Sequence, residues 1–378
     1  MKIALVSPYD FAYPGGVANH IFNLDQYLTR MGHDVRVIAP ASRAISAFGE
    51  RFIAIGKPRP LPTSGSICRI TLSLQLGDTI KDVLDREKFD VIHLHEPFML
   101  MLCSATLRFS NTANVGTFHA ADGNPGYRLG WPVGVMLARR RARKLDGRIA
   151  VSIPAMEFAN KYIPGDYEII PNGVDLQHFS PEVAPIEKYR DGKLNILFIG
   201  RLERRKGLIY LLRAYRQVKE EMPNSRLIIV GPGTTLRKTY EWWVERSGVK
   251  DVVFEGYVSN AELPRYYQTA DIFCAPALGR ESFGIILIEA MAMGKPVVAS
   301  NIKGYASVLT DGAEGLLVTP KDSRELAQAL LTLMDNEALR QQMGVKGKAK
   351  AKEYGWDRLS QRIVDYYGQV LGNSTRKT

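Results

Sequence analysis

Cysteine is scarce: Cys68, Cys103 and Cys274 are the three in 378 residues, odd in number and far apart. That excludes a disulfide framework or a cysteine-built metal cluster and fits a reducing compartment. Long hydrophobic runs are missing as well. No apolar stretch approaches the ~18 residues expected of a membrane-spanning helix. The opening Met1-Lys2-Ile3-Ala4-Leu5-Val6-Ser7-Pro8 turns polar too soon for a signal peptide, so a cytoplasmic location is expected. The spaced G-x-G-x-x-G of dinucleotide enzymes is absent after the first strand, which weakens a nicotinamide-dependent oxidoreductase. Internal repeats and low-complexity tracts are absent too.

What is present is apolar content of 46% and a formal charge of +11. The first suffices for packed cores. The second suits nucleic acid, anionic lipid or phosphate-bearing substrates without choosing among them. The length exceeds one domain of ~100–200 residues, so two are expected.

The N-terminal half alternates strand and helix. Ile3 to Ser7 is a continuous apolar run, as in a strand buried on both faces. Pro14-Gly15-Gly16-Val17 follows, then a helical pattern through Ile21, Leu24 and Leu28 to Gly32, then the strand Asp34–Ala39. Glycines at that turn permit close backbone approach, and the helix start can hold a phosphate. Further strands are expected at 90–95, 114–119, 147–152 and 167–171, with a helix from Phe98 to Arg108. His119 ends its strand and enters a loop, where ligands of open α/β sheets bind. His93, His95 and His119 raise a metal site, but no Cys or acidic cluster completes a ligand set, and none is expected. Trp131 to Lys144 is apolar in front and basic behind, with Arg139, Arg140, Arg141, Arg143 and Lys144. Such a helix suits an anionic membrane surface. Without an aromatic stacking motif beside the arginines, nucleic acid is not expected.

Asn172-Gly173-Val174-Asp175 precedes a proline-bearing stretch to about Gly192 that reads as a linker. A second alternation then begins with the strand Leu194–Gly200, the basic turn Arg201 to Gly207 and the helix Leu208–Glu221. Arg201 and Lys206, between strand and helix, are placed to meet phosphate oxygens. Strands follow at 226–231, up to Val258, at 271–276 and at 315–318. Asp322 is the expected N-cap of a long helix, with Glu325 three residues on, and Trp356 to Leu371 closes the chain as a helix. The stretch Glu281 to Gly294 places two carboxylates, Glu281 and Glu289, in an oily segment. If its helix begins near Phe283, free backbone N–H groups face the Glu281 loop. Hydroxyls, a diphosphate and hydroxyls again would match that layout, as in a sugar nucleotide.

Taken together, Pro14-Gly15-Gly16-Val17, Phe118-His119, Pro171 to Asp175, Gly200-Arg201 with Lys206-Gly207, and Glu281 to Glu289 resemble glycosyltransferase family 4, over essentially the whole chain. The resemblance implies the GT-B fold: two doubly wound Rossmann-like α/β domains facing across a ligand cleft, at 1–175 with helix 356–378 crossing back, and at 176–355. It implies a retaining hexosyltransferase with a nucleotide-sugar co-substrate. Catalytic roles fall on His119, Arg201, Lys206 and Glu281. Donor contacts fall on Gly15, Gly16, Asn172, Val258, Glu281, Phe283, Gly284, Ile285 and Glu289, the last at the ribose. Without an Asp-x-Asp motif, no divalent cation or other cofactor is implied. Within the family the chain is similar to phosphatidyl-myo-inositol mannosyltransferases. That implies α-mannosyl transfer from GDP-mannose to a phosphatidylinositol-type lipid, by a peripheral protein at the inner face of the membrane. A UDP-glucose enzyme acting on diacylglycerol or a soluble acceptor, and more remotely a sugar-nucleotide epimerase of the same fold, are the alternatives.

Overall fold

The computed structural model describes the chain apart from residues 14, 64–65, 74, 98, 100, 123–135, 137–138 and 375–378; for residues 62, 63, 66, 67 and 374 it describes the backbone alone. The chain divides into two compact units, the first Met1–Asn172 with Trp356–Thr378 and the second Gly173–Gly355.

The first unit carries strands β1 (Lys2–Val6), β2 (Asp34–Ala39), β3 (Phe52–Ala54), β4 (Pro58–Thr63), β5 (Ser66–Thr71), β6 (Val91–His95), β7 (Ala113–Phe118), β8 (Gly147–Ala150) and β9 (Glu168–Ile169). Its helices are α1 (Gly16–Arg30), α2 (Gly77–Glu87), α3 (Leu102–Phe109) and α4 (Ile153–Asn160), with a closing helix at Trp356–Ser374. Seven strands form one sheet in the order β3-β2-β1-β6-β7-β8-β9, every pairing parallel. Alternation along β1 explains why both faces are oily. Ile3 and Leu5 join the core that includes Ile21, Leu24 and the closing helix, while Ala4 and Val6 join the one that includes Leu102 and Leu107. Strand order reverses between β1 and β6, so the loops after these strands open at the topological switch point.

The second unit repeats the plan with β10 (Leu194–Ile199), β11 (Ser225–Val230), β12 (Val252–Gly256), β13 (Ile272–Ala275), β14 (Val297–Ser300) and β15 (Gly315–Val318). Their order, β12-β11-β10-β13-β14-β15, reverses between β10 and β13. The helices are α5 (Leu208–Glu221), α6 (Arg237–Ser247), α7 (Leu263–Thr269), α8 (Ile285–Ala292), α9 (Lys303–Ala306), α10 (Ser323–Met334) and α11 (Glu337–Ala351), which makes the closing helix α12. Asp322 caps α10 by accepting from the N–H groups of Arg324 and Glu325. The Glu325 carboxylate reaches back to the Thr319 N–H at 2.8 Å rather than to its own cap.

Three sequence expectations change here. The helix expected from Phe98, a residue outside the described ones, runs from Leu102, and Met101 just before it sits in left-handed backbone (φ 69) that no α-helix continues through. The stretch read as a linker is packed: Phe179 and Tyr189 are buried in a core of the second unit. The helix after Glu281 begins at Ile285 rather than Phe283, following a left-handed Gly284 (φ 103).

Candidate functional site

In the second unit the loops leaving β10 and β13 carry a linked set of charges. The Glu281 carboxylate accepts from Arg205 at 2.5 Å and Lys206 at 2.8 Å. Glu203, almost fully buried, accepts from Arg205 Nε at 2.8 Å and lies 3.2 Å from Arg201 Nε. Three cations thus share two carboxylates, which leaves positive charge in excess where the strand ends open. Such a cluster attracts a polyanion and can exchange internal partners for phosphate oxygens. Gly207 makes the arrangement possible. It begins α5 in left-handed conformation (φ 73), and a Cβ there would fall 1.8 Å from the Pro276 carbonyl oxygen. The two loops therefore touch through backbone, and the Leu278 N–H donates to Arg205 O at 2.8 Å.

Glu289 lies on α8 and is held separately. Tyr267 on α7 donates to its Oε2 at 2.7 Å. Burial pushes its carboxyl up to about 7, against the opposing pull of that hydrogen bond. Phe283 is 3% exposed and packs edge-to-face on Tyr354, which leaves its backbone rather than its ring for a ligand. Gly284 lies against Tyr305, Ile285 is partly buried, and Val258, just past β12, packs at the edge of the same core.

In the first unit, Gly15 and Gly16 are exposed at the start of α1, which has neither a side-chain cap nor an acidic residue in its first turn. Its leading N–H groups are therefore open to an anion. One turn on, His20 faces inward, with ring centroids 5.2 Å from His95, 4.8 Å from His119 and 4.8 Å from Trp356. His95 Nδ1 and His119 Nε2 share a hydrogen bond of 3.0 Å, and His20 Nδ1 bonds Asn172 Oδ1 at 3.0 Å. Burial drives His20 down to about 4 and holds His95 and His119 well below the ordinary histidine range. All three are neutral imidazoles at pH 7, able to donate from one nitrogen and accept at the other. Nitrogens of the trio lie within 4.8 Å of one another. Three imidazoles so placed are a donor set of the kind that binds Zn²⁺, although His95 Nδ1 and His119 Nε2 are here engaged with each other. His93, which the sequence grouped with His95 and His119, bonds Tyr367 OH at 2.7 Å and Thr117 Oγ1 at 2.6 Å instead.

The basic segment is helical at residues 136 and 139–142, and Trp131 lies outside the described residues. Arg139 donates to Tyr162 O at 2.8 Å, and Lys144 to Arg108 O and Ser110 O at 3.0 and 3.1 Å. Arg140 and Arg143 are exposed, Arg141 is half-buried, and Ala142 anchors the segment in the core. Among the described residues no helix is long and apolar enough to cross a membrane.

A family model described as "Glycosyltransferase Family 4" matches residues 14–178, and one described as "Glycosyl transferases group 1" matches residues 180–350. Phosphatidyl-myo-inositol mannosyltransferase of Mycobacterium leprae is 36% identical over 381 residues, covering 100% of this chain and 99% of that protein. The chain belongs to glycosyltransferase family 4. This family 4 member is a hexosyltransferase, and its fold is GT-B. The Anabaena protein HepE, solved in complex with UDP, aligns with TM-score 0.80 over 98% of this chain and all of that one, at 20% identity. Sucrose-phosphate synthase from Thermosynechococcus elongatus aligns with TM-score 0.77, 98% and 99% coverage and 21% identity.

For this glycosyltransferase the structure brings Arg201, Lys206 and Glu281 into one network and sets Glu289 apart beside Tyr267. Asn172 belongs with His20 and His119 in the first unit rather than with the charges of the second. Sequence reasoning passed over Arg205 and Glu203, whose signal was the alternation of sign in Arg201-Leu202-Glu203-Arg204-Arg205-Lys206. It also passed over His20, which on an amphipathic helix looks like any other buried residue.

Proposed function

We propose that this family 4 enzyme transfers an α-mannosyl group, with retention, from GDP-mannose to a phosphatidylinositol-type lipid at the inner face of the cell membrane. The observation that carries the reading is the convergence of Arg205 and Lys206 on Glu281 at a strand-order switch point. The full-length likeness to phosphatidyl-myo-inositol mannosyltransferases supports the choice of donor and acceptor. Lys206 and Arg201 bind the donor diphosphate and stabilise the charge it gains as it departs. Glu281 exchanges a cation contact for sugar hydroxyls, with Phe283, Gly284 and Ile285 presenting backbone beside it. Glu289 takes the ribose and Val258 borders the base. Gly15 and Gly16 offer N–H groups to phosphate, and neutral His119 hydrogen-bonds the transferred sugar. Asn172 acts through the imidazoles it orients. No divalent cation is assigned a role. Arg140, Arg141 and Arg143 meet anionic headgroups.

The test is transfer to phosphatidylinositol vesicles, with GDP-mannose and UDP-glucose offered separately. Mannosyl-lipid formed from GDP-mannose is expected, with vesicle binding that needs anionic lipid and weakens with salt. Glucosylation of diacylglycerol or of a soluble acceptor, with GDP-mannose inert, would replace this reading with the UDP-glucose alternative.

A further inference from the structure

Glu96 is the residue immediately after β6, at the strand-order switch of the first unit. It is 5% exposed, and its backbone is left-handed (φ 53), a conformation that a residue with a side chain adopts only when its surroundings enforce it. The enforcing contacts run to the neighbouring strand. The Glu96 N–H donates to Thr117 O at 2.8 Å. Pro97 lies beneath Gly116, where any Cβ would come within 3.0 Å of the proline Cγ. The side chain then turns to the end of β7, and its Oε1 accepts from the N–H groups of both His119 and Ala120, at 2.6 and 2.7 Å.

These two amides are the ones that the sheet cannot satisfy once β7 ends. An ordinary strand end would give them to water. Here one buried carboxylate oxygen takes both, at the desolvation cost that pushes Glu96 up to about 7. The backbone of His119 is therefore clamped from below, while its Nε2 is tied to His95 Nδ1. We infer that Glu96 is a positioning residue for sugar transfer: by gripping the 119–120 backbone it sets where the His119 imidazole stands. The inference rests on the reading of His119 as the residue that meets the transferred sugar. Misplacing such a group by about 1 Å is enough to cost ~100-fold in rate.

The test compares the full-length variants E96A, E96Q, E96D, H119A and E96A/H119A, with turnover of GDP-mannose on phosphatidylinositol vesicles as the readout. E96A is expected to lower kcat by about 100-fold with KM for GDP-mannose within about twofold of the parent. E96Q keeps an amide oxygen where Oε1 stands and should retain kcat within about threefold; E96D, one methylene shorter, should not. Adding E96A to H119A should cost nothing further, because both act through one imidazole. If E96A does not fold, the contrast between E96Q and E96D decides. A kcat for E96A within about threefold of the parent, an E96Q as impaired as E96A, or losses that multiply in the double variant would each overturn the inference. An impaired H119A beside an unimpaired E96A would remove the inference alone, whereas a fully active H119A would remove the reading of His119 beneath it.

Discussion

Glu289 holds a proton under conditions where an ordinary glutamate has lost it. Its carboxyl titrates near 7 in the folded chain, against 4.5 for an unperturbed glutamate, because burial outweighs the hydrogen bond from Tyr267. Between about 4.5 and 7 the folded chain therefore binds the extra proton, and this group's contribution to stability declines as pH rises through that window. Ligand binding runs the other way. A carboxylate accepts two ribose hydroxyls well only when ionised, so donor affinity should strengthen as pH rises through 7 and level off above 8. Titration calorimetry with GDP-mannose, whose diphosphate does not itself titrate in that range, should show Kd rising by up to about tenfold per pH unit below 7. Glu289→Gln should flatten the profile. Tyr267→Phe removes the bond that holds the carboxyl down and should move the midpoint upward. A slope unchanged in the Gln variant would assign the titration to another group.

Gly207 illustrates how an element's start places a charge cluster. An alanine there meets the left-handed penalty of roughly 1–2 kcal/mol and also a backbone carbonyl that cannot yield without moving the β13 loop. Gly248, at the end of α6, is left-handed too (φ 69) but has open space around its would-be Cβ. We predict that Gly207→Ala costs roughly 2–4 kcal/mol and at least about tenfold in kcat/KM, while Gly248→Ala costs about 1 kcal/mol and leaves activity alone. Thermal melts and initial rates compare the two; equal losses would mean that the Pro276 contact is immaterial. The same elements show what sequence can and cannot carry. Strands such as Asp34–Ala39 and the helix Leu208–Glu221 were legible to the residue, because an element buried on a known face writes its period into the chain. The β4–β5 hairpin was not, since Pro58, Pro60 and Pro62 mask a strand that survives by pairing on one side only. Lys206 was visible beside a glycine at a strand end. Its ion pair with Glu281, 75 residues away, and the clamp of Glu96 on His119 depend on strand order, which no local pattern records.

At the scale of the molecule, the first unit is completed by residues that follow the whole of the second. Helix α12 buries Trp356, Leu359, Ile363, Tyr367 and Val370 in the core shared by Ile3, Leu5, Leu24 and Val115. At about 1.5–3 kcal/mol for each large apolar side chain, the helix contributes on the order of 10 kcal/mol, comparable to the entire stability of a typical domain. It also supplies polar partners that water cannot replace in place: Tyr367 OH for the buried His93, and Tyr366 OH for the Arg148 N–H at 2.9 Å. Losing these leaves buried groups unpaired beyond the area already forfeited. A chain ending at Gly355 should therefore lose the first unit selectively. Among the described residues, the cores of the second unit contain none from beyond 351 except the partly buried Tyr354, so it should stay folded. Limited proteolysis with mass spectrometry is the direct check. Cleavage should spread through residues 1–172, including the histidine cluster, while a fragment near 173–355 persists and melts as in the full chain. Equal protection of both regions would show that α12 is an ornament on a first unit stable by itself, and that its buried aromatic residues contribute far less than their area indicates.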